Sequence, residues 1–259
     1  MSRPSEVVFR RHRTVTVVAL ALLAGLSWTW VIAGAGMGMN PSLRWSLFPH
    51  RAPGMAMHMA WDPPRLLLNF SMWFVMMVAM MIPAATPVAL LHARVAARGP
   101  RQAPSTGLFL AGYLIAWALF SFVAVLLQIV LETSGAMTAM GMTLSNRWIA
   151  GGVLVAAGFY QLSPWKNACL SHCRNPAEFI ARHHRSGPLA MGIIHGSYCV
   201  GCCWLLMALL FVGGIMNLLW IAALTLIVAA EKLLPRGRAI ARVSGVSFLA
   251  WGAAILFAG

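Results

Sequence analysis

Seven apolar runs, separated by short polar segments, limit most strongly how this chain can fold. They span residues 14–36, 66–91, 107–131, 147–164, 189–212, 217–234 and 243–258. The hydrocarbon core of a bilayer is about 30 Å thick and needs about 20 apolar residues per helix. Only 9% of the residues are charged, against about 25% in ordinary soluble domains. The sequence therefore predicts an all-α, polytopic transmembrane bundle of about seven spans, forming a single integral membrane domain over residues 1–259.

The distribution of cations predicts the orientation of this bundle. Of the 19 Lys and Arg residues, fifteen lie before run one or at the connections that follow runs two, four and six. The remaining four lie at the connections that follow runs one and three. Because cytoplasmic loops of membrane proteins are enriched in Lys and Arg, the 13-residue basic N-terminus is expected in the cytoplasm. The net charge of +14 thus reports orientation and indicates no nucleic-acid partner. Run one, at about 23 residues, exceeds the 7–15 of a signal peptide and is expected to be a retained span.

Methionines are concentrated where the predicted topology places the outer side. The long external loop 37–65 is Met-rich, and further methionines follow in a second external loop and a short turn. Packing in an apolar core does not explain methionines that are exposed, so they are candidate metal ligands. The external methionines, with one histidine as a candidate ligand among them, are Met37, Met39, Met55, Met57, His58, Met59, Met137, Met140, Met142 and Met216.

Run two carries a second set of thioethers inside the predicted membrane. Residues four apart lie on one face of a helix, so two overlapping series predict a methionine stripe that descends from the outer side. Packing explains such a stripe equally well, because methionine is flexible and apolar. The stripe comprises Met72, Met76, Met77, Met80 and Met81.

All five cysteines lie in the second half of the chain. The segment "WKNACLSHCRNP" holds Cys169, His172 and Cys173, and "HGSYCVGCCW" places His195, Cys199, Cys202 and Cys203 at helical spacing. A single buried Cys or His is usually a core residue. Ionisable groups within a membrane segment, however, mark functional sites by default. Thiolate and thioether are soft ligands that select Cu(I), so this pattern predicts a metal or redox site.

These blocks, with "MMVAMMIP" and the later "EK", resemble a family of bacterial polytopic proteins described as predicted metal-binding integral membrane proteins, some labelled copper chaperones. The resemblance covers roughly residues 70–235 and implies location in the bacterial inner (plasma) membrane. It also implies metal ligation by the five cysteines and one histidine, namely Cys169, Cys173, His195, Cys199, Cys202 and Cys203.

Three functions remain open at this point. The first is a Cu(I)-binding membrane protein that acquires copper and relays it across or within the bilayer, for uptake or for loading a cuproenzyme. Its partners would be the lipid bilayer and a periplasmic copper carrier or a membrane cuproenzyme. The second is a membrane oxidoreductase that uses the cysteines for thiol–disulfide or metal-centred chemistry. The third is a structural subunit. Zinc is the second choice of metal, because Cys and His also bind it.

Overall fold

A computed structural model describes residues 4–36, 61–96, 105–138, 142–183 and 185–257, and the side chains from residue 14 onward. In these ranges the chain is almost entirely helical, which confirms the all-α class. The helices are α1 (Pro4–Ile32), α2 (Pro63–Ala96), α3 (Ser105–Thr133), α4 (Arg147–Leu162), α5 (Pro164–Arg174), α6 (Pro176–His183), α7 (Pro188–Ala208), α8 (Leu210–Gly213), α9 (Leu218–Leu233) and α10 (Gly237–Phe257).

Five stretches in the described ranges are long and apolar enough to cross a membrane. They are Thr14–Ile32, Pro63–Ala96, Ser105–Thr133, Pro188–Gly213 and Gly237–Phe257. Helices α4 and α9 have 16 residues each. At 1.5 Å per residue they are about 24 Å long, shorter than a typical hydrocarbon core. The chain is therefore membrane-capable, and the count of seven spans stays a prediction.

Glycines bring two helix pairs into close contact. A Cβ atom at Gly112 of α3 or Gly192 of α7 would collide with the backbone of the other helix. A Cβ atom at Gly158 of α4 would lie 2.8 Å from the Gly245 carbonyl of α10, and one at Gly245 would lie 2.8 Å from the Gln161 side chain of α4. Small residues let membrane helices approach closely and pack by van der Waals contact. The α3–α7 contact fixes the helix that carries three of the cysteines.

Helix α2 is the most enclosed of the long apolar helices, together with α7. It packs against α1, α3 and α9. At its predicted outer end a polar network joins it to α3, because the Arg65 guanidinium pairs with Glu132 at 2.7 Å. Gln128 donates to Glu132 and Asn69, and accepts a hydrogen bond from Trp73. This network closes that end of the interface with paired polar groups.

The second external segment is more buried than its sequence predicts. A two-stranded hairpin, β1 (Met137–Thr138) paired with β2 (Thr143–Leu144), connects α3 to α4. Met137 and Met142 are 4% and 6% exposed, and Met216 is 1% exposed. The expectation that these three thioethers are exposed is wrong, because β2 packs against α8, the Ile215 N–H donates to the Met142 carbonyl, and all three side chains join the apolar core.

Candidate metal centre

Helix α7 presents three thiols and an imidazole to the interior of the bundle. It begins at Pro188, a residue suited to the first turn because its missing N–H would have no helical partner. His195, Cys199, Cys202 and Cys203 are all at most 2% exposed. Spacings of three and four residues put them on adjoining positions of one helix face, as the sequence predicts.

Helix α5 supplies a fourth thiol to the same place. Its N-terminus is capped by Ser163, which accepts a hydrogen bond from the Lys166 backbone, and Pro164 occupies the first position. Near its C-terminus Cys173 is buried. The Cys173 and Cys203 thiols each interact with those of Cys199 and Cys202. We call these four residues the thiol cluster.

Two polar residues contact this cluster through Cys199. The Lys232 ammonium of α9 lies 2.8 Å from the Cys199 sulfur, and the Tyr113 hydroxyl of α3 lies 3.1 Å from it. The sequence gives Tyr113 no role at the site and leaves two alternatives for Lys232, a side chain that reaches toward the membrane surface or one that supports the cysteine site. The adjacent Glu231 and Lys232 at the end of an apolar helix were a signal for Lys232, since an ionisable residue there needs a partner.

The thiols are held by the backbone of their own helix. Cys202 and Cys203 each donate to the carbonyl of Cys199, at 3.1 and 2.8 Å. In this arrangement, no three Cys, His, Asp or Glu side chains among the described residues are placed to hold a metal ion. Metal binding would require these thiols to lose their protons and turn away from the carbonyl.

His195 lies one helical turn from Cys199 in an aromatic environment. Its ring centroid is 5.0 Å from that of Phe179, 5.8 Å from Tyr113 and 5.9 Å from Phe109. Its Nδ1 atom is buried without a hydrogen-bond partner. A buried polar atom left unpaired is costly. This nitrogen is therefore a candidate to coordinate a metal ion or to take up a proton.

The three residues of the segment "WKNACLSHCRNP" that were predicted as ligands, Cys169, His172 and Cys173, do not all lie at the site. Cys169 is half-buried and packs against the backbone position of Gly201. Burial raises the pKa of the Cys169 thiol, and the neighbouring Cys202 adds to the effect. His172 stacks on Tyr198 at 4.2 Å and its Nδ1 contacts the Ala168 carbonyl. The structure therefore brings Cys173 into the cluster, leaves Cys169 beside it, and directs His172 elsewhere.

Met81, the last residue of the methionine stripe of α2, is linked to the thiol cluster through its backbone carbonyl and Tyr113. Its five thioethers are all 0% exposed. The Tyr113 hydroxyl that contacts Cys199 also donates to the backbone carbonyl of Met81, at 3.3 Å. Met72 and Met81 are nine residues apart, which is about 13 Å along a helix. The stripe thus runs from the polar network at one end of α2 toward the thiols.

A comparison with known protein families identifies the family of this chain. Residues 70–255 match the sequence profile of PpoB2, a family described as a copper chaperone. The chain belongs to this copper chaperone family. No curated protein and no solved structure matches it. The match confirms the resemblance seen in the sequence and supports a copper-related role.

The PpoB2 match covers more than two thirds of the chain and includes every residue of the thiol cluster. Within the part of the chain that the structure describes, the four thiols contact one ammonium and no carboxylate, so the donors they offer are soft sulfur atoms. Hard cations such as Mg²⁺ prefer oxygen ligands. The residues present therefore fit copper as cargo. The external candidates Met55, Met57, His58 and Met59 lie outside the described residues.

Proposed function

We propose that this protein is a Cu(I)-binding integral membrane protein, in which the methionines of α2 deliver copper to the thiol cluster. The observation that carries the proposal is the convergence of four buried thiols from two helices on one place, with Lys232 beside Cys199. Buried thiols that served only for packing would have no need of an ammonium partner.

The charges of this site favour a singly charged cargo. Two thiolates that bind Cu(I) carry one net negative charge, and the Lys232 ammonium neutralises it. An unpaired charge inside a protein or a membrane is strongly unfavourable. Binding of Cu(I) by two members of the cluster would therefore leave a neutral site. Zn²⁺ held by the same two thiolates would leave the ammonium charge uncompensated, which makes zinc the second choice.

The methionine stripe gives copper a path of soft ligands toward the cluster. Thioethers are neutral ligands for Cu(I), whereas thiolates carry a negative charge. A thioether therefore releases Cu(I) more readily than a thiolate does. The stripe ends at Met81, which Tyr113 connects to Cys199. With the orientation that the cations predict, copper would enter from the outer side. Copper would then pass from the cluster to a cuproenzyme or a carrier. In this proposal about seven helices span the bilayer, and the N-terminus lies in the cytoplasm.

Burial of the cysteines argues against thiol–disulfide exchange with a soluble partner. Exchange requires a thiolate to reach the partner's sulfur. Cys199, Cys202 and Cys203 are at most 2% exposed, and the five cysteines are free thiols. A small metal ion can reach such a site along a ligand path, whereas a protein disulfide cannot.

The proposal is tested by metal analysis of detergent-purified protein expressed with copper. We expect about one or more copper ions per chain, with stoichiometric binding lost in the variant Cys199→Ser, Cys202→Ser, Cys203→Ser, because hydroxyls are poor ligands for Cu(I). The matched control is Cys169→Ser, which removes a thiol beside the cluster and should retain copper. Zinc or iron in place of copper would overturn the choice of metal. Equal copper in the wild-type protein and the triple variant would overturn the site.

A further inference from the structure

Helix α5 is attached to α9 at both of its ends. Near its start, the Lys166 ammonium lies 2.6 Å from a Glu231 carboxylate oxygen, with side chains 0% and 2% exposed. At its last residue, Arg174 donates to the backbone carbonyls of Glu231 and Pro235, each at 2.8 Å. Cys173, the member of the thiol cluster on this helix, directly precedes Arg174. The position of Cys173 therefore depends on how α5 is held against α9.

The Glu231 carboxylate is itself held by other helices. Gln161 of α4 donates to its second oxygen at 2.8 Å, and also contacts Ser244 of α10 at 2.7 Å. Each carboxylate oxygen of Glu231 thus has a buried hydrogen-bond donor, and such pairing holds the side chain in one arrangement. Glu231 is 2% exposed, so the Lys166 ammonium pairs with a carboxylate that is itself buried and held.

The neighbouring residue of α9 contacts the other cysteine helix. Lys232 reaches Cys199 of α7, while Glu231 reaches Lys166 of α5. Two consecutive residues of one helix therefore contact the two helices that build the thiol cluster. This junction links the placement of Cys173 to that of Cys199.

We propose that Lys166 and Glu231 are positioning residues for the metal centre, which set the approach of Cys173 to the thiols of α7. The functional part of this inference rests on the proposed binding of Cu(I) by the cluster. A buried ion pair is a poor source of stability, because desolvation offsets its attraction, but it can specify one arrangement of the elements that it joins. Apolar residues in its place would hold α5 without fixing its register.

The test measures the placement of Cys173 without any metal. The full chain would carry Cys169→Ser, Cys202→Ser and Cys203→Ser, so that Cys173 and Cys199 are its remaining thiols. Diamide takes two electrons and two protons from them as the disulfide forms, and loss of thiol labelling gives the rate. In the added double variant Lys166→Met, Glu231→Gln, no buried charge is left unpaired. We expect the disulfide to form on the order of 10-fold more slowly, because the bond requires the two Cβ atoms to come within about 4.5 Å and a less firmly held α5 brings them together less often.

Two further variants keep this test decisive. Glu178→Gln removes the exposed pair with Arg182 and should leave the rate unchanged, since exposed pairs contribute little. Glu231→Asp keeps the charge but shortens its reach, so it gives an intermediate rate even where the double variant folds poorly. Elution from size exclusion in detergent reports folding. A folded double variant that forms the disulfide at the unsubstituted rate would overturn the inference.

Copper affinity in the five-cysteine chain separates this inference from the proposed function. If both hold, Lys166→Met, Glu231→Gln weakens Cu(I) binding about 10-fold, measured by competition with a coloured Cu(I) chelator. If disulfide formation slows but the wild-type chain binds no copper, the positioning role stands and the proposed function fails. Unchanged copper affinity in a double variant with slowed disulfide formation would contradict the link between Cys173 and the metal.

Discussion

The methionine stripe of α2 and the thiol cluster of α5 and α7 are both buried sets of sulfur atoms, but their surroundings differ. The thioethers lie in a contiguous apolar core, where α2 packs against α1, α3 and α9. The cluster contacts an ammonium and a phenol, and a buried ion pair holds one of its helices. A neutral ligand needs no counter-charge, whereas an ionised one does. Under the proposed function, this difference assigns passage of copper to the stripe and retention of copper to the cluster.

The largest expected effect comes from removal of the cluster's counter-charge. Lys232→Met should weaken Cu(I) binding about 100-fold, the upper end for residues that support metal ligands, because the bis-thiolate complex keeps an uncompensated negative charge. Lys232→Arg retains the charge and should lose much less. Titration against a Cu(I) chelator in detergent measures both. Equal affinity in the wild-type protein and the methionine variant would mean that the cluster resembles the stripe in needing no counter-charge.

Removal of the stripe's sulfur should affect rate more than affinity. Leucine is close to methionine in volume, so Met72→Leu, Met76→Leu and Met80→Leu should each cost less than about 1.5 kcal/mol of stability. Together they remove the soft ligands along one face of α2. We expect copper loading in liposomes to slow about 10-fold, as for other residues that support metal binding, with an unchanged final copper content.

A control for the stripe experiment lies on the same helix. Leu90→Met adds a thioether below the stripe and should leave the loading rate unchanged. A triple leucine variant that loads copper at the wild-type rate would show that the stripe is only packing, an interpretation that its sequence already allowed.

The smallest expected effect concerns the histidine of the segment "WKNACLSHCRNP". His172→Ala should change Cu(I) affinity by less than about 2-fold, since its ring stacks on Tyr198 and contacts the Ala168 carbonyl, and losing such a stack costs only about 1 kcal/mol of stability. Cys173→Ser, one residue further along α5, provides the contrast and should weaken binding clearly. A strong loss in His172→Ala would place the whole motif in the site and would contradict the division between Cys173 and His172.

The sequence predicted the long apolar helices and the shared face of the α7 cysteines, because both follow from periodicity, whereas metal binding by these thiols stays a prediction. Long apolar runs require helices in a membrane, and spacings of three and four fix which residues share a face. It could not show that α5 lays Cys173 against α7, or that Lys232 and Tyr113 contact Cys199, because these contacts join distant parts of the chain. Met137, Met142 and Met216 were predicted exposed because loop position gives no information on how a hairpin packs.

The coordination of copper in the loaded protein tests the central claim most directly. X-ray absorption at the copper edge should be measured on detergent-purified wild-type protein and on Cys173→Ser loaded with one equivalent of Cu(I). We predict a first shell of sulfur alone in the wild-type protein, with the low coordination number typical of thiolate-bound Cu(I), and an altered shell in the variant. A first shell of nitrogen or oxygen in the wild-type protein, or identical spectra from the two proteins, would contradict the assignment of copper to the thiol cluster.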